Sequence, residues 1–353
     1  MHSRETLTRS GEQSVVETLA RRLEWCVEAD DLVLGIDLGG SKILTAVVGA
    51  QGRMLSSDRS KTPAGEGHEA VIDAILESAH RALEQAGVSV SELLAVGAGA
   101  PGLVNPWTGI VATSPHLPGW RDVPLRDIIQ AGLGKVTFLI NDANAAALGE
   151  LRFGAARGAS NFIYITVSTG IGGGIVIDGE IYSGNMGMAG EVGHMTIDDD
   201  GPPCNCGNRG CWETLASGTA LRREARRQIA EGAKTAMLEY AEGSVDRVTP
   251  RTVQAAAERG DELARQLIAR TGYYLGVGLA NLVNMFNPEL IVIGGGLSNI
   301  GEMLLEPAFD EARKRAYPQA FEAVQLVRAE LGGNSGVLGA AALALDRMRE
   351  QGA

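Results

Sequence analysis

The chain has 353 residues, enough for about two domains, and with 45% hydrophobic and 21% charged residues it has the composition of a globular protein rather than a disordered one. Its 31 Lys and Arg against 43 Asp and Glu give a formal charge of −12, so it lacks the long-range attraction to phosphate backbones that non-specific nucleic-acid binding needs. No apolar run approaches the ~20 residues that span a bilayer, and the 47 glycines, lacking a Gly-X-Y period, belong to turns and ligand loops rather than to collagen.

Residues 1–31 form an N-terminal extension in which Val15, Val16, Leu19, Leu23 and Cys26 fall at helical spacing. This predicts one amphipathic helix that packs on the body or on a partner subunit. One helix is too few for a helix-turn-helix. Arg4, Glu5, Glu12, Arg21 and Arg22, with no apolar segment between them, argue against a secretory signal, so the cytoplasm is the expected compartment.

At Leu32 the period changes. Leu32–Asp37 reads as a buried strand, Leu38-Gly39-Gly40-Ser41-Lys42 as a turn, Ile43–Val48 as a second strand and Arg53–Ser57 as a third. A helix follows over Glu69–Gln85, and Leu93–Gly99 is a strand entering a glycine loop. Phe138–Asn141 is an apolar strand running straight into a helix at Ala143–Phe153. The first layout then recurs: strand Phe162–Val167, a glycine turn over Ser168–Gly174, strand Ile175–Ile177, a turn at Asp178-Gly179 and strand Glu180–Tyr182. A long helix at Asp261–Met285 leads to strand Leu290–Ile293, the loop Gly294-Gly295-Gly296, a last strand near Val324–Val327 and a helix at Val337–Arg349. Two copies of one unit, with loops at matching strand ends, imply an α/β protein of two lobes facing each other across a cleft. The expected division is a small lobe at 32–134 and a larger one at 135–334, with the final helix, about 335–350, crossing back onto the first.

The paired glycine turns, Gly39-Gly40-Ser41 and Thr169-Gly170-Ile171-Gly172, can bring backbone N–H groups against a phosphate chain lying between the lobes. Gly294-Gly295-Gly296 suits close approach to a base and ribose. None fits G-x-x-x-x-G-K-[ST], so this is no P-loop. Asp37, ending the first strand, either holds a hydrated Mg²⁺ bridged to phosphate or caps its own turn. Asn141 and Asp142 stand where a strand gives way to a helix. One of them is an N-cap, or Asp142 is a base that accepts a proton from an attacking hydroxyl at the crevice.

The sharpest local pattern is His194 followed by Cys204, Cys206 and Cys211, an H-x9-C-x-C-x4-C spacing among glycines and prolines. It suits a closed tetrahedral Cys₃His site, hence structural zinc. Metal ligation through one ring nitrogen leaves the other as a donor toward the interior. Glu191 and Glu213 are delivered to the same place, and two carboxylates with an imidazole N–H make a cage for vicinal sugar hydroxyls. The pair also resembles the carboxylates of a glycosidase, a reading that leaves the phosphate turns without a purpose.

Together these residues resemble the ROK family of sugar kinases and repressors, within the actin/hexokinase-like (ribonuclease H-like) ATPase superfamily, from Leu32 to the C-terminus. The motifs are Asp37–Lys42, Asn141-Asp142-Ala143-Asn144, Ser168–Gly174, the Glu191–His194 element and the cysteine cluster ending in Glu213. Within the family the chain is most similar to bacterial glucokinases, partly through Pro115-His116-Leu117-Pro118-Gly119-Trp120. The resemblance implies ATP-dependent phosphorylation of a hexose 6-hydroxyl, glucose favoured. Other hexoses or amino sugars (mannose, fructose, allose, N-acetylglucosamine, N-acetylmannosamine) and a sugar-sensing regulator are the alternatives. Asp142 would be the base; Asn141, Glu191, His194 and Glu213 would hold the sugar, with Gly102 close by. Gly39, Gly40, Ser41, Lys42, Thr169 and Gly170 would line the ATP phosphates, Asp37 would sit near Mg²⁺, and Gly295 and Gly296 beside the adenosine. A homo-oligomer, dimer or tetramer, is implied as well. Ser41 stands where Thr is usual and keeps the hydroxyl. His116 replaces a common Asn near the sugar, and Leu103 stands where N-acetylmannosamine kinases can carry Arg.

Overall fold

A computed structural model describes residues 30–352, so the helix expected in the N-terminal extension lies outside the described residues. Two five-stranded sheets share one topology. The first runs β3-β2-β1-β4-β8, from β1 (Leu32–Leu38), β2 (Lys42–Gly49), β3 (Met54–Lys61), β4 (Leu93–Ala100) and β8 (Thr137–Asn141). The second runs β11-β10-β9-β12-β13, from β9 (Phe162–Val167), β10 (Ile171–Ile177), β11 (Glu180–Ile181), β12 (Leu290–Gly294) and β13 (Gln325–Arg328). In each, an antiparallel three-strand meander is extended by two parallel strands. The internal repeat read from the sequence is therefore structural.

The burial pattern follows strand position. β1 and β4 lie inside the first sheet and are buried on both faces, which is why they read as continuous apolar runs. β3, at the edge, alternates in exposure and carries Ser56, Asp58, Arg59 and Ser60. Residues 103–123, to which the sequence reading assigned no element, contain a small antiparallel sheet of β5 (Leu103–Asn105), β6 (Ile110–Thr113) and β7 (Arg121–Val123).

Two helices occupy the space between the sheets. α3 (Asp142–Phe153) follows β8 directly, and α9 (Ser335–Gly352) follows β13; the numbering places α1 (His68–Ala86) and α2 (Leu125–Leu133) before them. Ala145, Ala147 and Leu148 of α3 pack with Phe162, Tyr164, Val292 and Leu343. From α9, Val337, Leu338, Ala341, Ala344, Leu345 and Met348 cover Val33, Ala46, Val48 and Ala95 of the first sheet. Contact there is almost backbone to backbone: a Cβ on Gly97 would overlap the carbonyl of Ala340. The second lobe adds α4 (Trp212–Ala216), α5 (Gly218–Ala230), α6 (Pro250–Glu258), α7 (Glu262–Phe286) and α8 (Glu302–Arg315) around its own core. No helix among the described residues is long and apolar enough to cross a membrane.

Two boundaries differ from the sequence reading. The strand after Gly134, assigned above to the second lobe, is β8, which pairs with β4 at the end of the first sheet. Gly134, the left-handed cap of α2, marks the end of a helix and not of a domain. The glycine turn expected over Ser168–Gly174 is shorter, because Gly172, Gly173 and Gly174 belong to β10. Gly172 and Gly174 face α3, where a Cβ on Gly174 would stand 2.6 Å from that of Ala147, and Gly173 faces the other way, where a Cβ would stand 2.7 Å from Val192 Cγ2.

Candidate active site

The parallel strands β1, β4 and β8 end side by side, with Asp37 in register with Gly99 and Asn141 with Ala100. Such carboxyl ends face the ligand crevice in α/β folds. Asn141 is the N-cap of α3: its Oδ1 accepts from the N–H groups of Ala143 (2.9 Å) and Asn144 (3.2 Å). Its Nδ2 donates to the carbonyl of Gly102 (3.2 Å). Gly102 has φ +99°, and a Cβ there would overlap the carbonyl of Thr113, so the loop after β4 is fixed between the small sheet and Asn141.

With capping assigned to Asn141, Asp142 is available for other work. Its Oδ1 accepts from the Ala143 N–H at 2.9 Å. The residue keeps a limited solvent face, but burial of its carboxyl pushes the pKa up from 3.8 to about 7. The carboxylate of Asp37 adds to the rise, the Ala143 N–H opposes it, and Glu191 adds a smaller increment. Asp37 is itself raised by burial, with Lys42 and Arg59 pulling the other way. Its carboxyl lies against the first turn of α9: a Cβ on Gly336 would stand 2.8 Å from Asp37 Cγ. The positive end of that helix suits an anion there.

The phosphate turns occupy equivalent hairpins. In the β1–β2 turn, Gly39 N–H donates to Lys42 O (2.9 Å), and Thr62 holds Gly39 O through its hydroxyl (2.7 Å) and Ser41 O through its N–H (3.2 Å). Gly40 has His116 beside it: a Cβ at 40 would come within 2.6 Å of the His116 Cβ. In the β9–β10 turn, the carbonyls of Ser168 and Thr169 accept from the N–H groups of Gly218 (2.8 Å) and Thr219 (3.2 Å) at the start of α5. Gly295, φ +87°, packs on Val167, while Gly296 is exposed and a Cβ added there would meet nothing nearer than Ser168 Oγ at 3.9 Å.

The histidine–cysteine element packs on the second lobe, where a Cβ on Gly193 would overlap the carbonyl of Ile171 in β10. His194 closes a 3-10 turn (Val192–His194), and the cysteine loop is folded by Cys204 N–H to Asn208 O (2.8 Å) and Trp212 N–H to Met195 O (2.8 Å). The ligand atoms of His194, Cys204, Cys206 and Cys211 lie within 4.8 Å of one another. His194 Nδ1 is 3.6 Å from Cys204 Sγ, and Cys206 Sγ is 3.7 Å from Cys211 Sγ. A tetrahedron with metal–sulfur bonds of ~2.3 Å has edges of about 3.8 Å, so the donor set fits zinc.

With Nδ1 turned to the thiols, His194 Nε2 faces Glu191, 3.8 Å from its Oε2. Burial raises the Glu191 carboxyl too, although 40% of its side chain meets solvent, which weakens the effect. Glu213 opens α4 immediately after Cys211 and Trp212. The Trp212 ring is fully buried and its Nε1 donates to Tyr274 O (2.9 Å), which fixes the turn. Glu213 Oε1 accepts from the Cys204 thiol (3.4 Å), and a Cβ on Gly170 would sit 2.5 Å from Oε2. One carboxylate thus joins the cysteine loop to the β9–β10 turn.

The fold therefore gathers Gly102, Asn141, Asp142 and Asp37 on one rim and Glu191, His194 and Glu213 beside Thr169-Gly170 on the other. Sequence reasoning missed Thr62, the post behind the first turn, and Gly336, which admits the Asp37 carboxyl. Neither has a local signal, because each acts on residues distant in sequence.

The chain is 38% identical to a glucokinase of Halalkalibacterium halodurans over 88% of this chain and 94% of that one. It superposes on the crystal structure of a ROK family glucokinase from Streptomyces griseus in complex with glucose and AMPPNP, with a TM-score of 0.80 at 38% identity, over 89% of this chain and 99% of that one. It is also 33% identical to a xylose repressor of Caldicellulosiruptor bescii, over 90% of this chain and 78% of the repressor. Residues 33–347 match the ROK family, and the chain belongs to it.

Proposed function

We propose that the protein is an ATP-dependent hexose kinase that phosphorylates the 6-hydroxyl, with glucose as preferred substrate. The observation that carries this reading is Asp142, a carboxyl brought to about pKa 7 by burial and by Asp37, at the mouth of three parallel strands and opposite a cage of Glu191, His194 and Glu213. A base near the working pH combines ionisation with proton affinity, which is what transfer from a sugar hydroxyl requires. Similarity to glucokinases supports glucose over other hexoses.

In this reading Asn141, Glu191, His194 and Glu213 orient the ring hydroxyls, and Gly102 shapes the wall beside them. Asp142 takes the proton as the oxygen attacks the γ-phosphate. Gly39, Gly40, Ser41 and Lys42 on one lobe and Thr169 and Gly170 on the other line the phosphate chain, and Gly295 and Gly296 border the adenosine. Asp37 would hold Mg²⁺, which would neutralise charge on the phosphates. His194, Cys204, Cys206 and Cys211 would hold a structural zinc, and ligation would fix the His194 ring with Nε2 toward the sugar. The enzyme works in the cytoplasm as a dimer or tetramer, on small molecules and not on nucleic acid or membrane.

A coupled ADP-release assay across glucose, mannose, fructose, allose, N-acetylglucosamine and N-acetylmannosamine tests the reading. Glucose is expected to give the highest kcat/KM. No sugar-dependent ADP release from any of the six would overturn it in favour of a sugar-responsive regulator, the activity of the repressor relative.

A further inference from the structure

α3 carries Asp142 in its first turn and, two turns further on, a carboxylate that solvent does not reach. Glu150 is 0% exposed, and both its oxygens are saturated. Oε2 accepts from the N–H groups of Ala155 (2.9 Å) and Glu330 (3.1 Å); Oε1 accepts from the N–H of Leu331 (3.1 Å) and the hydroxyl of Ser335 (2.8 Å). The placement of these donors is informative. The chain passes between the sheets twice, once from β8 through α3 to β9, and once from β13 to α9. Ala155 lies on the first crossing, and Glu330, Leu331 and Ser335 lie on the second. One buried carboxylate holds both.

Further short contacts lead from this point to the site. The buried Tyr164 of β9 has its phenol beside the Ser335 hydroxyl, and a Cβ on Gly294 would overlap that phenol oxygen. Gly294 begins the loop assigned to the nucleotide. Gly336, next to Ser335, abuts Asp37, and a Cβ on Gly149, next to Glu150, would overlap the Ser335 carbonyl.

We propose that Glu150 is a positioning residue, the clasp between the two inter-lobe crossings, which sets the angle at which the Gly294–Gly296 loop and the phosphate turns approach Asp142. Its catalytic consequence rests on the kinase reading above, whereas its geometric claim does not. A carboxylate that merely stiffened the fold would lower the melting temperature and leave turnover alone. A clasp sets lobe geometry, and turnover with it, because misplacement of reacting groups by an ångström is expensive in rate.

The test is Glu150→Gln, which turns an NH₂ group toward backbone donors. Melting temperature, kcat, KM for glucose and ATP, and small-angle scattering of the free protein are measured against Val283→Ala, a truncation in the second-lobe core. For Glu150→Gln, kcat is expected to fall about tenfold or more with the glucose KM changed less than about threefold, and the distance distribution to broaden. Val283→Ala lowers the melting temperature only. Should Glu150→Gln fail to fold, Ser335→Ala, which removes one of the four hydrogen bonds, gives the same pattern at about threefold. The proposal is overturned if scattering is unchanged and the loss in kcat merely matches that of Val283→Ala. A wild-type protein inactive on every hexose removes the kinase reading instead, and scattering alone then decides the clasp.

Discussion

Replacing Asp142 by Asn removes the proton acceptor and keeps the carbonyl that accepts the Ala143 N–H. A positioned general base is worth about 10²–10⁴-fold, so kcat falls by at least that factor. Glucose affinity by calorimetry stays within a few-fold, because Asn141, Glu191, His194 and Glu213 are untouched. The same change stabilises the fold, and does so in a pH-dependent way. Asp142 ionises near 3.8 in the unfolded chain and at about 7 in the folded one. The gap of roughly 3 units corresponds to about 4 kcal/mol, a ceiling because the residue keeps some solvent contact. The folded pKa is the higher one, so the folded state binds the proton more tightly. Stability from this group is complete below pH 4, declines as the pH rises toward 7, and is level above it. Asn does not ionise, so the variant's advantage grows over the same window: up to about 4 kcal/mol at pH 8 and roughly a third of that at pH 5. Thermal unfolding at the two pH values, run beside the ADP-release assay, measures both effects. An Asn variant with the same thermal advantage at pH 5 and pH 8, or one that still turns over, refutes the assignment.

Other expectations follow from the same geometry. In the wild type, kcat/KM for glucose rises with pH through about 7 and levels off above it, as Asp142 loses its proton; a flat profile from pH 5 to 8 would contradict a base of that pKa. Elemental analysis gives about one zinc per chain, and chelation weakens glucose binding by releasing the His194 ring; metal-free protein with normal glucose affinity excludes the orienting role. Gly40→Val drives a side chain into His116 and raises the KM for ATP about tenfold or more, with a smaller effect on the KM for glucose. Gly97→Ala meets the Ala340 carbonyl of α9 and costs about 2 kcal/mol or more, read as a lowered denaturation midpoint.

Much of this architecture was legible because the repeat is written in continuous apolar runs leading into glycine turns, and because Asp37 and Asn141-Asp142 stand at the ends of such runs. The cysteine cluster was legible for another reason: His194, Cys204, Cys206 and Cys211 are close in sequence, so bringing them together needs no distant partner. What stayed hidden depends on contacts across the chain. Gly172–Gly174 resembled a loop because glycine is read as punctuation, whereas here it makes room for Ala143, Ala147 and Val192. β8 was placed in the wrong lobe because a strand's partner is chosen by packing and not by its own residues. Glu150 carries no local signal, since its four donors come from Ala155 and from residues about 180 positions away.

The return of α9 to the first sheet has a consequence for biosynthesis. Val33, Ala46, Val48 and Ala95 emerge early from the ribosome, but Val337, Leu338, Ala341 and Leu345, which cover them, are made last. At translation speeds of ~5–20 residues per second, that apolar face stays bare for roughly ten to fifty seconds. Until α9 is made, that face of the first sheet lacks its helical cover, and chaperones that shield exposed β-surface have that interval in which to engage it.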